Sequence, residues 1–271
     1  MKKKKVLALG MVACLAATAL IGGTLAYFTD TAEETNTFTA GGVKIDLIEQ
    51  QVNEAGTALE DFAQNQVLMP IVGSAQGAKD NFGQPVAENY IDKIVTIKNT
   101  GKSDAYVRAY FAIPSALDDG YETFNAGLNV LHFNFGNEEG VSTCGNQWKW
   151  QHGDKWNYFE TTIDSVAYNV YYADYYQILE AGDTTEQFVS GVYLDKSFDQ
   201  QDDKYYAFGK EIDLSGLMVK NEQTGEKELS VKCPVKAVAV QAAGFDTVDA
   251  AVTEAFGANY NPFGGTATNW Q

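Results

Sequence analysis

The sequence contains few side chains of the types that carry out metal or nucleophilic chemistry. Its 271 residues include 2 histidines and 3 cysteines. His132 and His152 are far apart and do not form an HExxH zinc motif, and no Gly-x-Ser-x-Gly elbow or phosphate-binding glycine loop is present. His132 lies in a strand-like stretch, which favours a packed or surface imidazole, and His152 lies in a turn. We therefore predict no catalytic residues, no metal site and no cofactor.

Acidic residues are the other candidates for a site. Asp199, Asp202 and Asp203 could offer oxygen ligands to Ca²⁺, but they lack the DxDxDG spacing, so a solvated turn is favoured. The chain has 36 acidic and 19 basic residues and a net charge of -17. Because phosphate backbones require clustered Lys and Arg, this balance argues against nucleic-acid binding. Arg108 alternates with strand residues and is predicted to be structural, stacked between Tyr106 and Tyr110.

Two of the cysteines lie beyond the apolar N-terminal run. In an exported chain, Cys144 and Cys233 could form one disulfide, although their spacing does not require it. Cys233 falls on the apolar face of a strand, where a buried thiol is equally suitable. Cys14 lies within the apolar run itself and is interpreted as part of it.

Ten aromatic residues form a dense stretch that has two interpretations. Exposed rings could stack on sugars or on a protein ligand, whereas buried rings would pack between strands. Packing is favoured, and binding through this aromatic-rich insert is kept as the alternative. The residues are Trp148, Trp150, Trp156, Tyr158, Phe159, Tyr168, Tyr171, Tyr172, Tyr175 and Tyr176.

Residues 1–26 have the three parts of a secretory signal peptide. Lys2–Lys5 form a positive region, and Val6–Ile21 form an apolar region. Small residues follow, with Thr24 and Ala26 at the -3 and -1 positions of a cut before Tyr27. An uncleaved membrane anchor is the alternative, but the apolar run is short for a span. A secreted or cell-surface protein is predicted.

Period-two alternation dominates the remaining sequence and predicts strands. It indicates an all-β fold, an antiparallel β-sandwich of jelly-roll type with minor helices, over residues 42–257. A helix is expected from Thr247 to Gly257, and another over 55–65. Residues 258–271 are predicted to be a flexible tail, in which Phe263 and Trp270 could still dock on the protein. The predicted strands cover 43–48, 93–98, 105–113, 130–135, 166–172, 186–194 and 229–239, the last with Pro234 marking an edge or a bulge.

Residues 27–41 form an extended segment with few apolar groups. Tyr27, Phe28 and Phe38 are spaced anchors, and Asn36, Phe38 and Ala40 share one side of an extended chain. Such a segment can add to the exposed sheet edge of another subunit, and a head-to-tail contact of this kind builds a filament. The alternative is pairing within its own subunit, or a loose segment.

Several of these stretches together resemble a known family. They are Gly22–Asp30, Asn36–Gly41, Val43–Leu47, Val95–Gly101, Ala105–Ala109 and Leu179–Thr185. They are similar to the TasA/camelysin family of exported Gram-positive proteins, whose leader is cut by the signal peptidase SipW. The resemblance implies a jelly-roll subunit of biofilm-matrix fibres, with copies of itself and other matrix proteins as partners. The camelysin branch has been classed as metalloproteases, but the HExxH motif is missing here.

These observations rank three functions. The first is a secreted structural protein that forms extracellular or biofilm-matrix fibres by N-terminal strand donation. The second is a secreted or surface-associated binding module that uses the aromatic-rich insert for glycans or proteins. A camelysin-like metallopeptidase is a distant third, and the chain is predicted not to be an enzyme.

Overall fold

Strands make up most of the computed structural model, which describes residues 27–28, 42–64, 66–72, 88–120, 129–134, 147–152, 155–202, 204–221 and 225–271. Residues 27 and 28 are described by their backbone alone. Within these ranges, two short 3-10 helices, Ser115–Leu117 and Ser215–Leu217, accompany one α-helix, α1 (Val248–Phe256). None of the helices in these ranges is long and apolar enough to cross a membrane.

The strands of the described residues are numbered in chain order. They are β1 (Tyr27–Phe28), β2 (Ile45–Val52), β3 (Leu59–Asp61), β4 (Gln66–Val67), β5 (Ile91–Asn99), β6 (Ala105–Pro114), β7 (Leu131–Asn134), β8 (Trp148–Lys149), β9 (Gln151–His152), β10 (Lys155–Trp156), β11 (Tyr158–Ile163), β12 (Val166–Leu179), β13 (Val189–Leu194), β14 (Asp199–Gln201), β15 (Lys204–Ala207), β16 (Lys210–Ile212), β17 (Met218–Lys220), β18 (Lys227–Val231) and β19 (Val235–Gln241).

Two antiparallel sheets form the body of the molecule. The first has the order β3-β2-β5-β13-β7, and the second has the order β11-β12-β6-β19 with β8 also paired to β12. Residues of both sheets, such as Val95 from β5 and Val107 from β6, belong to one buried hydrophobic cluster. This packing confirms an all-β fold with minor helices, while the jelly-roll connectivity stays a prediction.

The second sheet is buried on both faces. Alternate residues of β6 divide between two clusters: Val107 and Phe111 face the first sheet, and Tyr106 and Tyr110 face the other side. Val248 and Val252 of α1 pack on that other side. All ten residues of β6 are therefore buried, as expected for a central strand covered on both faces.

The long strand predicted over 229–239 is two strands in different sheets. β18 ends at Val231 and belongs to a small third sheet, whereas β19 begins at Val235 and forms an edge of the second sheet. Pro234 lies at the break and has no N–H for a ladder bond, although its carbonyl accepts a hydrogen bond from Ala112 N at 3.0 Å. The proline therefore marks the point where the chain changes sheets.

One predicted helix is confirmed and the other is wrong. Thr247 caps α1, and its hydroxyl accepts a hydrogen bond from Ala250 N at 3.1 Å. The helix predicted over 55–65 is a turn followed by β3. Asn53 Oδ1 accepts hydrogen bonds from Thr57 N and Ala58 N, and Gly56 has a left-handed φ of 67°. This side-chain turn competes with helix formation.

The C-terminal residues differ from the loose tail predicted for 258–271. The backbones of Glu160 and Thr268 exchange two hydrogen bonds of 2.9 Å, so the chain adds to the open edge of β11. The Trp270 ring stacks on Phe159 with centroids 4.2 Å apart. The segment is held in place because it satisfies backbone hydrogen-bonding groups of the edge strand β11 and covers the aromatic ring of Phe159.

Candidate functional site

The N-terminal strand β1 lies inside the third sheet, whose order is β17-β18-β1-β4. It runs parallel to β18, with Tyr27 opposite Ser230, and antiparallel to β4, with Tyr27 opposite Val67. These partners come from distant parts of the chain, so β1 joins β4 to the rest of the sheet. In this structure the pairing occurs within one subunit, which is the alternative arrangement considered for this segment.

The third sheet has an open apolar surface beside β1. Val67 of β4 is 45% exposed, and Met69 and Val72 farther along the same segment are also exposed. Next to them lies a groove that is lined by apolar and charged side chains; they include Met69, Pro70, Phe198, Tyr205 and Leu229, together with Asp199, Glu226, Lys227 and Glu228. Exposed apolar side chains gathered beside a strand are typical of a surface that another chain covers.

The other residues predicted for cleavage and assembly lie outside the described residues. Thr24 and Ala26 of the cleavage site belong to this group, as do Asn36, Phe38 and Ala40 of the assembly segment. Of the predicted set, Tyr27 and Phe28 are described, and their backbones form β1. Cleavage before Tyr27 and the anchor role of the later residues stay predictions.

Of the two later cysteines, the structure describes Cys233. Cys233 is fully buried in the main hydrophobic cluster, as its place on an apolar strand face indicates. Cys144 lies outside the described residues. The disulfide between them stays a prediction.

The dense aromatic stretch forms part of the protein interior. All ten residues are buried except Tyr176, which is 58% exposed. The Trp150 ring stacks on Phe188 with centroids 4.6 Å apart, and its centroid lies 6.3 Å from that of the Trp156 ring. The packing interpretation is confirmed, and the exposed platform that would hold a sugar is not formed by these rings.

Arg108 forms a buried ionic cluster between β6, β12 and α1. Its Nε and Nη2 donate to the two carboxylate oxygens of Asp174 at 2.6 and 3.1 Å, and Nη2 also donates to Asp249 at 3.0 Å. The guanidinium lies 4.9 Å from the Tyr172 ring centroid, so the stacking partner is Tyr172 and not the predicted Tyr106 or Tyr110. Burial alone would lower the pKa of Arg108, but Asp174 raises it above its ordinary value.

A second buried ion pair joins the two long strands of the first sheet. Lys93 Nζ lies 3.2 Å from Glu49 Oε2, and their side chains are 0% and 7% exposed. The Phe62 ring covers the amine, with its centroid 4.7 Å from Nζ. Sequence analysis missed both this pair and the Asp174 partner of Arg108, because each joins residues that are far apart in the chain.

Asp118 is the centre of a third buried polar group. Asn169 Nδ2 and the Tyr171 hydroxyl donate to Asp118 Oδ2 at 2.7 and 2.8 Å. Burial raises the pKa of Asp118, and these two hydrogen bonds oppose the rise. The group ties the end of the Ser115–Leu117 turn to β12, and its fixed partners suit a structural role.

The residues first considered for metal chemistry are dispersed. His132 stacks on Tyr193 with centroids 4.9 Å apart, and burial lowers its pKa. His152 is exposed on β9. Asp199 and Asp202 are exposed, and Asp203 lies outside the described residues. Within the described ranges, no group of three or more His, Cys, Asp or Glu side chains could hold a metal ion.

Comparison with known protein families gives a match to the N-terminal part of the chain. Residues 1–55 match the profile of the camelysin metallo-endopeptidase family. The described histidines and carboxylates do not fit the metal ion that this description implies, since His132 is packed on Tyr193 and His152 lies on another sheet. No curated protein and no solved structure matches the chain. The predicted resemblance to the TasA/camelysin family is thus confirmed over residues 1–55, which include the predicted leader, β1 and all of β2.

Proposed function

We propose that this protein is a secreted structural subunit of extracellular matrix fibres. In the fibre, the β1 segment of one subunit occupies the place between β4 and β18 of the next. The observation that carries the proposal is the position of Tyr27–Phe28 as an inner strand of the third sheet, held by partners on both sides. The family match over the same N-terminal region supports it.

Exchange between subunits preserves the backbone pairing of β1. The hydrogen bonds that Tyr27 and Phe28 make within one chain can be remade with an identical chain, so the exchange changes few interactions. Residues 29–41, when extended, can span at most about 50 Å from Phe28 to Gly42. That reach is comparable to the diameter of a domain of this size, which puts a neighbouring subunit within range.

The direction of donation determines the kind of assembly. Each subunit donates its N-terminal segment and accepts one between β4 and β18, so donor and acceptor surfaces differ. Such a heterologous contact leaves one donor and one acceptor surface free at the two ends of the assembly. It therefore propagates as a filament, unless the rotation between successive subunits happens to close a ring. The exposed Val67 and Met69 beside the acceptor position would then be covered by the incoming subunit.

Cleavage of the leader would control when donation begins. A cut between Ala26 and Tyr27 by a SipW-type signal peptidase makes Tyr27 the first residue of the mature chain. Before the cut, β1 is joined through residues 22–26 to the apolar run Val6–Ile21 and is held at the membrane. Export would therefore release the donor segment only outside the cell, where other matrix proteins are also available as partners.

A truncated chain tests the proposed function. A chain that starts at Gly42 lacks β1 and the linking segment, and we expect it to remain folded but to form no filaments in sedimentation and electron microscopy. The chain that starts at Tyr27, at the same salt, pH and concentration, is the control. Filaments of equal length from both chains would contradict strand donation.

A further inference from the structure

The ion pair of Lys93 and Glu49 is unusual among the charged contacts of the described residues because a primary amine meets a carboxyl group in the interior. Lys44 and Asp46, which also form a Lys–carboxylate pair, are 53% and 36% exposed. The side chains of Lys93 and Glu49 are 0% and 7% exposed. Burying two charges is costly even when they are paired.

Strand pairing fixes the two groups against each other. β2 and β5 are antiparallel neighbours, and Glu49 lies opposite Val95. Lys93 is two residues from Val95 and therefore projects from the same face, diagonal to Glu49. The two groups meet at 3.2 Å without any movement of the backbone.

The surroundings of the pair exclude water. Lys93 lies between Ile91 and Val95 on the inner face of β5, and both belong to the main hydrophobic cluster. Phe62 from the segment after β3 covers the amine at 4.7 Å. A fixed amine and carboxyl group can react with effective molarities of about 10⁵ M or more, and a site without water favours loss of water over hydrolysis.

We propose that Lys93 and Glu49 condense to an intramolecular amide that links β2 to β5. A proton first passes from Lys93 Nζ to the Glu49 carboxylate, which leaves a neutral amine and a carboxylic acid. The amine lone pair attacks Glu49 Cδ and the C–N bond forms. The C–O bond to the acid hydroxyl then breaks, and this hydroxyl leaves as water with one of the two amine protons, while the other proton stays on the amide nitrogen. No oxidant, cofactor or second protein is required, since the reaction replaces two buried charges with one neutral amide.

The cross-link does not depend on whether the chain assembles. It joins two residues 44 positions apart in sequence and closes the intervening loop covalently. By the same argument that applies to a disulfide, such a link lowers the conformational entropy of the unfolded chain. It would also hold β2, the first long strand after the N-terminal segment, to its neighbour in every subunit.

Intact-mass spectrometry of the reduced, fully denatured chain that starts at Tyr27 tests the proposal. We expect a mass below the sequence mass by one water molecule, and a proteolytic fragment in which the peptides of Glu49 and Lys93 are joined. The Lys93→Met variant should have its full sequence mass. Lys44→Met is the matched control, because its exposed pair cannot condense, and it should keep the loss of one water.

The result for the unmodified chain is decisive even where Lys93→Met does not fold. A mass equal to the sequence mass in folded protein, with Glu49 and Lys93 recovered in separate peptides, would show that the contact is an ion pair only and would overturn the proposal. A loss of water that maps to any other pair of residues would overturn it equally.

Discussion

The second and third sheets of this protein are built in different ways. The second sheet has long strands and is buried on both faces. Beneath α1, the Arg108–Asp174 ion pair links its strands β6 and β12. The third sheet has strands of two to five residues, and its inner strand β1 contributes only Tyr27 and Phe28. It leaves Val67 and Val219 exposed on its outer strands.

The difference teaches which part of the molecule can exchange its contacts. Burial and hydrogen bonding set the free energy of local opening, and it is lowest where few apolar contacts are made. Leaving its place costs β1 the pairing of two residues, whereas separating β6 from β12 exposes a whole buried face. The second sheet is therefore suited to holding the fold, and the third sheet is the part whose contacts the proposed fibre would exchange between subunits.

Loss of Arg108 should produce the largest change in stability. Arg108→Met leaves Asp174 buried without its charge partner, and we expect the free energy of unfolding to fall by about 3–5 kcal/mol in urea titrations. Protein that remains folded should still form filaments, because the cluster joins β6, β12 and α1 and includes no residue of the third sheet. Asp249→Ala is the control: this carboxylate is 60% exposed, so its loss should have a small effect. If Arg108→Met lost filament formation while its free energy of unfolding stayed unchanged, the second sheet would take part in assembly and the contrast between the two sheets would be wrong.

The same substitution at two valines compares the main core with the third sheet, and its expected effects on stability are smaller than that of losing Arg108. Val95→Thr places a hydroxyl in the main core, where Val95 is 0% exposed, and should cost about 1–3 kcal/mol. Val67→Thr in β4 should change the free energy of unfolding by less than about 0.5 kcal/mol, because Val67 is 45% exposed in the single subunit.

Filament formation should respond to these two variants in the opposite order. Val67→Thr should raise the concentration at which filaments appear in sedimentation, since the proposed assembly covers the exposed apolar surface of Val67. Val95→Thr protein that remains folded should assemble at the normal concentration. Equal losses of stability for the two variants would mean that the third sheet is as firmly packed as the core.

Sequence patterns predicted the features that depend on neighbouring residues. Strand alternation identified β6, and Thr247 with Gly257 fixed the ends of α1, because a cap is a local interaction. Pro234 indicated a break in the ladder, but not that the chain changes sheets there. The helix prediction over 55–65 failed because Asn53 forms a side-chain turn that hydrophobic periodicity does not detect.

The features that sequence analysis missed depend on contacts between distant residues. Asp174 meets Arg108 only after β6 and β12 pair, and Glu49 meets Lys93 only after β2 pairs with β5. Composition likewise suggested a loose C-terminal tail. Trp270 instead stacks on Phe159, and Thr268 pairs with Glu160 at the edge of β11. Tertiary contacts therefore override the local composition of that segment.

Cross-linking of mixed chains tests strand donation most directly. Tyr27 and Val67 are register partners, so cysteines at these positions can form a disulfide when β1 pairs with β4. Chains carrying only Tyr27→Cys are mixed with chains carrying only Val67→Cys. The two are distinguished by size, and Cys144 and Cys233 are replaced in both. The mixture is assembled, oxidised and separated under denaturing, non-reducing conditions.

We predict covalent dimers that contain one chain of each kind, and we predict that they form in the filaments and not in dilute monomer. A chain that carries both cysteines provides the control for pairing within one subunit, since it should close on itself as a dilute monomer. The account would be contradicted if that double variant forms its internal disulfide within filaments while the mixed chains yield no dimers.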